Sequence, residues 1–106
     1  MSDAERRIGI NESIFRDINE RIQDLSDQLD THEAEFICEC ADRSCTAHLT
    51  LPLRDYEAVR AYPDRFVLIA GHQRADAERV VEDHDVYLVV EKLGEAGEVA
   101  EETDPR

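Results

Sequence analysis

The sequence predicts a small α+β fold, in which an N-terminal amphipathic helix and a small antiparallel sheet with one short helix are stapled by a zinc site. Residues 11–29 carry apolar side chains at helical spacing, and residues 36–90 contain several short apolar runs of strand length. All three cysteines lie within one segment of eight residues. A chain of 106 residues is the size of one domain with a small core, and such a core gains from a metal cross-link.

The first predicted element is a helix over residues 11–29. Its apolar side chains recur every three or four residues and therefore share one face, which Ile10 and Ile14 widen. The recurring set is Phe15, Ile18, Ile22, Leu25 and Leu29. Asn11 is a suitable N-cap. Two alternatives follow: the helix packs on its own domain, or it docks onto a second copy or another protein.

The next elements are short. The predicted strands cover residues 36–38, 47–51, 66–70, 79–82 and 86–90, and the most apolar of them, 66–70, is expected at the centre of the sheet. Thr50 and Pro52 predict the start of a short helix, which Tyr62 and Pro63 end. Residues 83–85 are expected to form the turn of a hairpin.

The expected organisation is one folded unit between two flexible ends. Residues 1–10 are predicted to be a flexible N-terminus, and residues 11–92 a single zinc-stapled domain. From Gly94 onward the chain is rich in glutamate and alanine and has no apolar rhythm. Residues 93–106 are therefore expected to be a disordered acidic tail.

The charge is strongly acidic, with 26 aspartate and glutamate residues against 12 lysine and arginine residues. The excess extends along the whole chain, so direct binding of nucleic acid is not expected, because such binding depends on neutralising phosphates. An acidic surface suits solubility or docking onto a basic protein. No apolar run approaches the length of a membrane span, and the first residues lack the apolar core of a secretion signal. A cytoplasmic location is expected.

Cys38, Cys40 and Cys45 are predicted to bind a metal. In a reducing compartment, closely spaced cysteines favour metal over disulfide, and an odd count would leave one thiol unpaired. Three thiolates and one imidazole form a closed tetrahedral zinc site, which is typical of structural sites. The expected cofactor is therefore zinc.

The fourth ligand must come from one of four histidines. His72 is favoured, because it follows the most apolar predicted strand and because Gly71 allows a sharp turn before it. His48 is the alternative, since the two-residue gap after Cys45 also suits zinc. In a strand over residues 47–51, however, His48 points away from the face that carries Leu49.

Several stretches of the chain share motifs with other small proteins: NESIFRDINERI, FICECADRSC, RDYEAVRAYPDRFVLIAGH, ERVVE and YLVVEK. Over residues 11–92 the chain resembles a group of small, uncharacterised actinobacterial-type proteins with a Cys-x-Cys, a third cysteine and a Gly-His. The resemblance implies that Cys38, Cys40, Cys45 and His72 are a shared polar core. Ala70 departs from that pattern, which has proline there. No activity, substrate or partner comes with the resemblance.

The expected function is that of a non-enzymatic regulatory or adaptor module, which acts through protein–protein contacts and binds its partner, or a second copy, through the helix over 11–29. Zinc sites of the cytidine deaminase type carry His-x-Glu and Pro-Cys-x-x-Cys, and this sequence has neither. Two other functions stay open. The zinc thiolates could form a redox sensor, or the acidic surface could mimic DNA and inhibit a basic nucleic-acid-binding protein.

Overall fold

The computed structural model describes residues 3–40, 42 and 44–106, with the side chains of the first helix described from Gly9 onward. The elements, in chain order, are α1 (Asp3–Gln28), β1 (Glu33–Ile37), β2 (His48–Pro52), α2 (Leu53–Arg60), β3 (Arg65–Ile69), β4 (Glu78–Asp83), β5 (Tyr87–Lys92) and α3 (Gly94–Glu102). The predicted α+β class is confirmed, because a long N-terminal helix precedes antiparallel strands and further helices.

The strands form two sheets where one was predicted. Strands β1 and β2 form an antiparallel pair, with Phe36 opposite Leu49. The other three strands are antiparallel in the order β3-β5-β4. The expectation that residues 66–70 form the central strand was therefore wrong, because β5 is central and β3 lies at one edge. The apolar side chains of β3 are nevertheless buried, since this strand packs against the rest of the core. Thr50, predicted to cap the short helix, belongs to β2, and α2 begins at Leu53.

The core lies where the two sheets and α2 meet. Phe36 from β1 stacks on Tyr56 from α2 with ring centroids 4.4 Å apart, and both side chains are fully buried. Phe66, Leu68 and residues of β5 complete this cluster. Cys38 and Cys40 belong to the same buried cluster, so the metal-binding segment lies against the core.

Helix α1 packs on the domain through its polar face. The buried side chains of this helix are Glu12, Ser13, Arg16, Asn19 and Gln23, each at most 5% exposed. The Arg16 guanidinium donates hydrogen bonds to the carbonyl oxygens of Pro63 (2.6 Å) and Ala100 (2.9 Å), and it lies 4.9 Å from the centroid of the Phe66 ring. The helix is therefore held by buried hydrogen bonds and charges.

The apolar face of α1 is correspondingly left to solvent. The large side chains of this face, with Leu29 directly after the helix, are between 42% and 74% exposed: Ile10, Ile14, Ile18, Leu25 and Leu29. Phe15 and Ile22 are partly buried at the border of the two faces. The alternative in which α1 packs on its own domain is thus realised, although through the face opposite to the apolar one.

Both predicted flexible ends carry helix in the structure. Helix α1 begins at Asp3, eight residues before the predicted cap Asn11, and Gly94–Glu102 form α3. Glycines allow α3 to pack closely on two neighbours. A Cβ added to Gly9 of α1 would come within 2.9 Å of Val99 Cβ in α3, and one added to Gly97 of α3 would come within 2.8 Å of the Lys92 carbonyl oxygen at the end of β5. The predicted disordered tail over 93–106 is therefore wrong for residues 94–102, whose small buried side chains gave too weak an apolar pattern.

Within the part of the chain that the structure describes, no helix is both long enough and apolar enough to cross a membrane.

Candidate metal centre

The structure brings together the four residues that the sequence singled out. Cys38 and Cys40 follow β1, Cys45 lies in the loop before β2, and His72 follows β3. The three sulfur atoms and a ring nitrogen of His72 all lie within 4.8 Å of one another. Such a cluster could hold a metal ion, and its members come from two segments that are far apart in the sequence.

Backbone hydrogen bonds place the Cys-x-Cys segment between the two sheets. The Cys38 N–H donates to the Ala47 carbonyl (3.0 Å), beside β2, and the Glu39 N–H donates to the Val67 carbonyl (2.9 Å) in β3. The N–H of Ile69 donates to the Cys38 sulfur at 3.3 Å. Since the segment bonds to both sheets, a metal held by it also ties the sheets together.

Two distances within the cluster match those of a tetrahedral zinc site. Zinc–sulfur bonds of about 2.3 Å and zinc–nitrogen bonds of about 2.0 Å that meet at the tetrahedral angle hold the sulfur and nitrogen atoms about 3.5 Å apart. The His72 Nδ1 atom lies 3.5 Å from the Cys38 sulfur and 3.6 Å from the Cys45 sulfur. The donor set of three thiols and one imidazole also matches that of structural zinc sites.

Local turns bring the last two ligands into place. The Asp42 carboxylate accepts hydrogen bonds from the Ser44 N–H (2.9 Å) and hydroxyl (2.6 Å), and the Cys45 N–H donates to the Asp42 carbonyl at 3.0 Å. Gly71 has a φ of 99°, a conformation that suits glycine, and the His72 N–H donates to the Ile69 carbonyl at 3.0 Å. The chain therefore reverses directly after β3 and carries His72 back over Cys38.

The other histidines lie elsewhere. The His48 Nδ1 atom is 2.8 Å from a Glu35 carboxylate oxygen on the neighbouring strand, where both side chains are exposed. His84 stacks on Tyr87 at the β4–β5 turn. His48, the alternative fourth ligand, is therefore not among the residues that meet at this cluster.

Burial disfavours ionisation of two of the thiols in the metal-free protein. It raises the pKa of Cys38 and of Cys40, because a thiolate loses hydration when it is enclosed by the core. The neighbouring thiols raise the pKa of Cys38 further. A divalent cation reverses this preference, because it binds the thiolate form and releases the protons.

Glu39 is a buried residue next to the cluster, and the sequence prediction missed it. It lies between Cys38 and Cys40 but points to the opposite side, as alternate residues of an extended segment do. Its carboxylate is fully buried and accepts hydrogen bonds from the Val67 N–H (3.0 Å), the Asn19 side-chain amide (2.8 Å) and the Tyr56 hydroxyl (2.7 Å). The sequence did contain a signal for this position. A residue between two cysteines of an extended segment points away from both of them, here toward the core.

Asn19 connects this arrangement to α1. Its side-chain oxygen accepts a hydrogen bond from the Ile37 N–H, and its amide donates to the Ile37 carbonyl, both at 2.9 Å. The end of β1 is thereby fixed to the helix, and the Cys-x-Cys segment begins from a rigid base.

One side of the cluster faces solvent. Cys38 and Cys40 are buried, but Cys45 is half-buried and His72 is exposed. A surface cleft of about 470 Å³ lies against it, lined by Cys40, Asp42, Gly71, His72 and Arg74. A metal ion or a small molecule could reach the sulfur atoms from this cleft.

Comparison with protein-family models, with curated proteins and with solved structures gives no match for this chain. The resemblance to small actinobacterial-type proteins therefore stays a prediction.

Proposed function

We propose that this is a small, non-enzymatic zinc-binding protein that acts as a regulatory or adaptor module through protein–protein contacts. The observation that carries the proposal is the meeting of Cys38, Cys40, Cys45 and His72 in one cluster, between the two sheets. In this proposal zinc holds the fold, and the surface of the folded domain performs the function.

The donor set supports a structural role for the metal. Four protein ligands fill a tetrahedral zinc shell, whereas a catalytic zinc keeps one position for water or substrate. The ligands also join the segment over residues 38–45 to the end of β3. Because the unfolded chain does not hold them together, the binding free energy, on the order of 10 kcal/mol, becomes folding free energy.

Two surface features support action through protein contacts. The formal net charge is −14, which favours association with basic partners. One face of α1 also presents a row of large apolar side chains to solvent, and exposed apolar patches on a folded protein commonly mark interaction sites.

Native mass spectrometry, with and without a chelator, tests the metal part of this proposal. The purified protein should carry one zinc ion per chain, and chelation should cause a large decrease in its thermal unfolding temperature. His72→Ala should bind zinc much more weakly, because one of four ligands is lost. His48→Ala is the matched control, since its imidazole contacts Glu35 on an exposed strand pair, and it should keep full zinc occupancy.

A zinc-free protein with undiminished stability would overturn the structural role. Equal loss of zinc from His72→Ala and His48→Ala would show that the ligand set is different.

A redox sensor is the second candidate, and the partial exposure of Cys45 next to the exposed His72 favours it. Hydrogen peroxide, itself reduced to water, would oxidise two thiolates to a disulfide and release the zinc ion. Zinc release within minutes at micromolar peroxide, measured with a chromophoric chelator, would support the sensor. Slow release that needs millimolar peroxide would support the structural site.

A further inference from the structure

We propose that α1 joins two copies of this protein in an antiparallel pair, with the exposed apolar row of one copy packed on the same row of the other. The row, here called the α1 stripe, consists of Ile10, Ile14, Ile18, Leu25 and Leu29. The inference rests on the proposed interaction role and deepens it, because it names both the surface and the partner.

The α1 stripe cannot be buried by rotation of the helix within its own domain. The opposite face is held by Arg16 on Pro63 and Ala100, and by the buried contact of Glu12 with Lys92. Turning the helix would bring these charged groups out of their hydrogen bonds and leave their buried partners unpaired, at a large cost. The stripe is therefore a fixed outward surface of the folded protein.

The spacing along the stripe is symmetric. With Arg21 included, the positions are 10, 14, 18, 21, 25 and 29, separated by four, four, three, four and four residues, and the series is the same in both directions. An antiparallel second copy then places Ile10 against the second copy's Leu29, and Ile14 against its Leu25. A two-fold axis near residues 19 and 20 relates the two helices, as in the isologous interface of a two-fold dimer.

The charges in the middle of the stripe favour the antiparallel arrangement. Asp17 and Arg21 are both exposed on this side of α1. In the antiparallel pair, Arg21 meets the second copy's Ile18 and the neighbouring Asp17, and the two-fold axis repeats this contact. In a parallel pair, Arg21 would face the second copy's Arg21, and Asp17 its Asp17. Opposite charges at the centre therefore select one orientation.

The size of the stripe indicates a modest affinity. Residues 10–29 span roughly 30 Å of helix, and a single helix face lies at the lower end of specific interfaces. Each copy also carries a formal net charge of −14, which opposes self-association. A dissociation constant on the order of micromolar is expected.

Sedimentation velocity of the zinc-loaded protein, over a concentration series up to about 200 µM, tests the dimer. The wild type should be dimeric at the upper end of the series. Ile18→Asp, at the centre of the stripe, should weaken association at least about 100-fold and leave the unfolding temperature and zinc content unchanged. The matched control is Val86→Asp, which puts the same charge on an apolar side chain that is 71% exposed at the β4–β5 turn, away from α1. This control should dimerise like the wild type.

A wild-type protein that is monomeric throughout the series would overturn the proposal, as would an Ile18→Asp variant that dimerises normally. A loss of dimer in Val86→Asp but not in Ile18→Asp would place the interface elsewhere and overturn it as well.

Photo-cross-linking tests the orientation. A benzophenone amino acid replaces Ile14, and an isotope-mixed sample is irradiated, so that only links between copies are counted. Links to residues 22–29 of the second copy support the antiparallel pair, and links to residues 11–18 or to any other element contradict it. Native mass spectrometry of the same sample separates the two proposals: a zinc-loaded monomer contradicts the dimer alone, and a dimer without zinc contradicts the zinc-binding role alone.

Discussion

The side chain of Glu39 points in the opposite direction to those of Cys38 and Cys40. Cys38 and Cys40 face the candidate metal position, while Glu39 faces the core and accepts three hydrogen bonds from α1, α2 and β3. Burial raises the pKa of its carboxyl group, and the hydrogen bonds oppose that rise. One residue therefore couples the metal-binding segment to three elements.

Glu39→Ala should decrease the free energy of unfolding by about 3 kcal/mol or more, because three buried donors lose their acceptor. The variant should also bind zinc more weakly, since the segment that holds Cys38 and Cys40 loses its support. Urea unfolding and zinc titration measure the two effects. Glu33→Ala, an exposed position at the start of β1, is the control and should change neither. Full stability of Glu39→Ala would show that the buried carboxylate is dispensable.

Lys92 has two buried carboxylates as partners, Glu12 from α1 and Glu78 from β4. One positive charge cannot neutralise two negative ones in the same buried space. Burial raises the pKa of Glu12 from 4.5 to about 7, against the opposing attraction of Lys92. Of the two carboxylates, Glu12 is thus the one that gains a proton at mildly acidic pH.

Protonation of Glu12 increases the free energy of unfolding. The folded protein binds this proton more tightly than the unfolded chain does, so the contribution decreases as pH rises from about 4.5 to about 7 and is constant above that range. Relative to the wild type, Glu12→Gln should gain about 1 kcal/mol between pH 6 and pH 8. Urea unfolding of both proteins at the two pH values measures this gain. Glu98→Gln, on the exposed side of α3, should show no such change, and a gain of the opposite sign for Glu12→Gln would contradict the assignment.

At the residue scale, the sequence alone identified the four residues that the structure brings together, Cys38, Cys40, Cys45 and His72. Three clustered cysteines and a histidine after a glycine are recognisable, because few residue types bind zinc. Glu39, Arg16 and Lys92 were not predicted as buried residues, because a charged side chain in a local pattern indicates a solvated face. Their partners come from distant parts of the chain, so burial becomes evident only in the folded structure.

At the scale of elements, α1 shows the limit of periodicity. The spacing of its apolar residues correctly predicted a helix with an apolar face, but it could not determine which face the domain covers. The strands were likewise placed to within a few residues, whereas their division between two sheets depends on tertiary contacts. The spacing of residues along the chain predicts an element and its apolar face, whereas contacts with the rest of the molecule determine which face is buried.

Helix α3 is an integral part of the fold. Its carbonyl at Ala100 accepts a hydrogen bond from Arg16, the Thr103 and Ser13 hydroxyls lie 2.6 Å apart, and Asp104 pairs with the buried Arg60. The first two contacts anchor α1 from the side opposite to the stripe, and the third ties the chain after α3 to α2.

Removal of residues 94–106 should therefore decrease the unfolding temperature by about 10 °C or more, because two buried guanidinium groups lose partners and the apolar contact with α1 is lost. Differential scanning calorimetry measures the decrease. Glu98→Ala, an exposed change on the same helix, should leave the unfolding temperature within about 2 °C of the wild type. A shortened chain as stable as the full one would restore the original prediction of a disordered tail.

At the scale of the whole molecule, charge repulsion opposes the compact state. The acidic excess has few basic residues to balance it, and α1 has no basic residue in its last turn, where cations would favour the helix dipole. Asp24, Asp27 and Asp30 instead lie at that end and are exposed. This unfavourable energy is long-range and is therefore sensitive to salt.

The urea midpoint should therefore increase when sodium chloride is raised from about 20 mM to about 500 mM, because screening weakens the repulsion. A variant with Asp24, Asp27 and Asp30 all changed to asparagine should begin with a higher midpoint and gain less from salt. A midpoint that decreases with salt would show that local ion pairs, such as those of Arg106 with Glu20 and Glu57, outweigh the repulsion.

The polar anchoring of α1 has a consequence for biosynthesis. The ribosome makes α1 before its buried partners, because Lys92 follows Glu12 by 80 residues and Ala100 follows Arg16 by 84 residues. Until those partners are made, neither side of the helix has its final contacts, and its apolar side chains are open to any neighbour. The buried side of α1 can therefore reach its final packing only after residues 92–100 have emerged, and until then nascent chains on one polysome can meet through the exposed apolar side chains of α1.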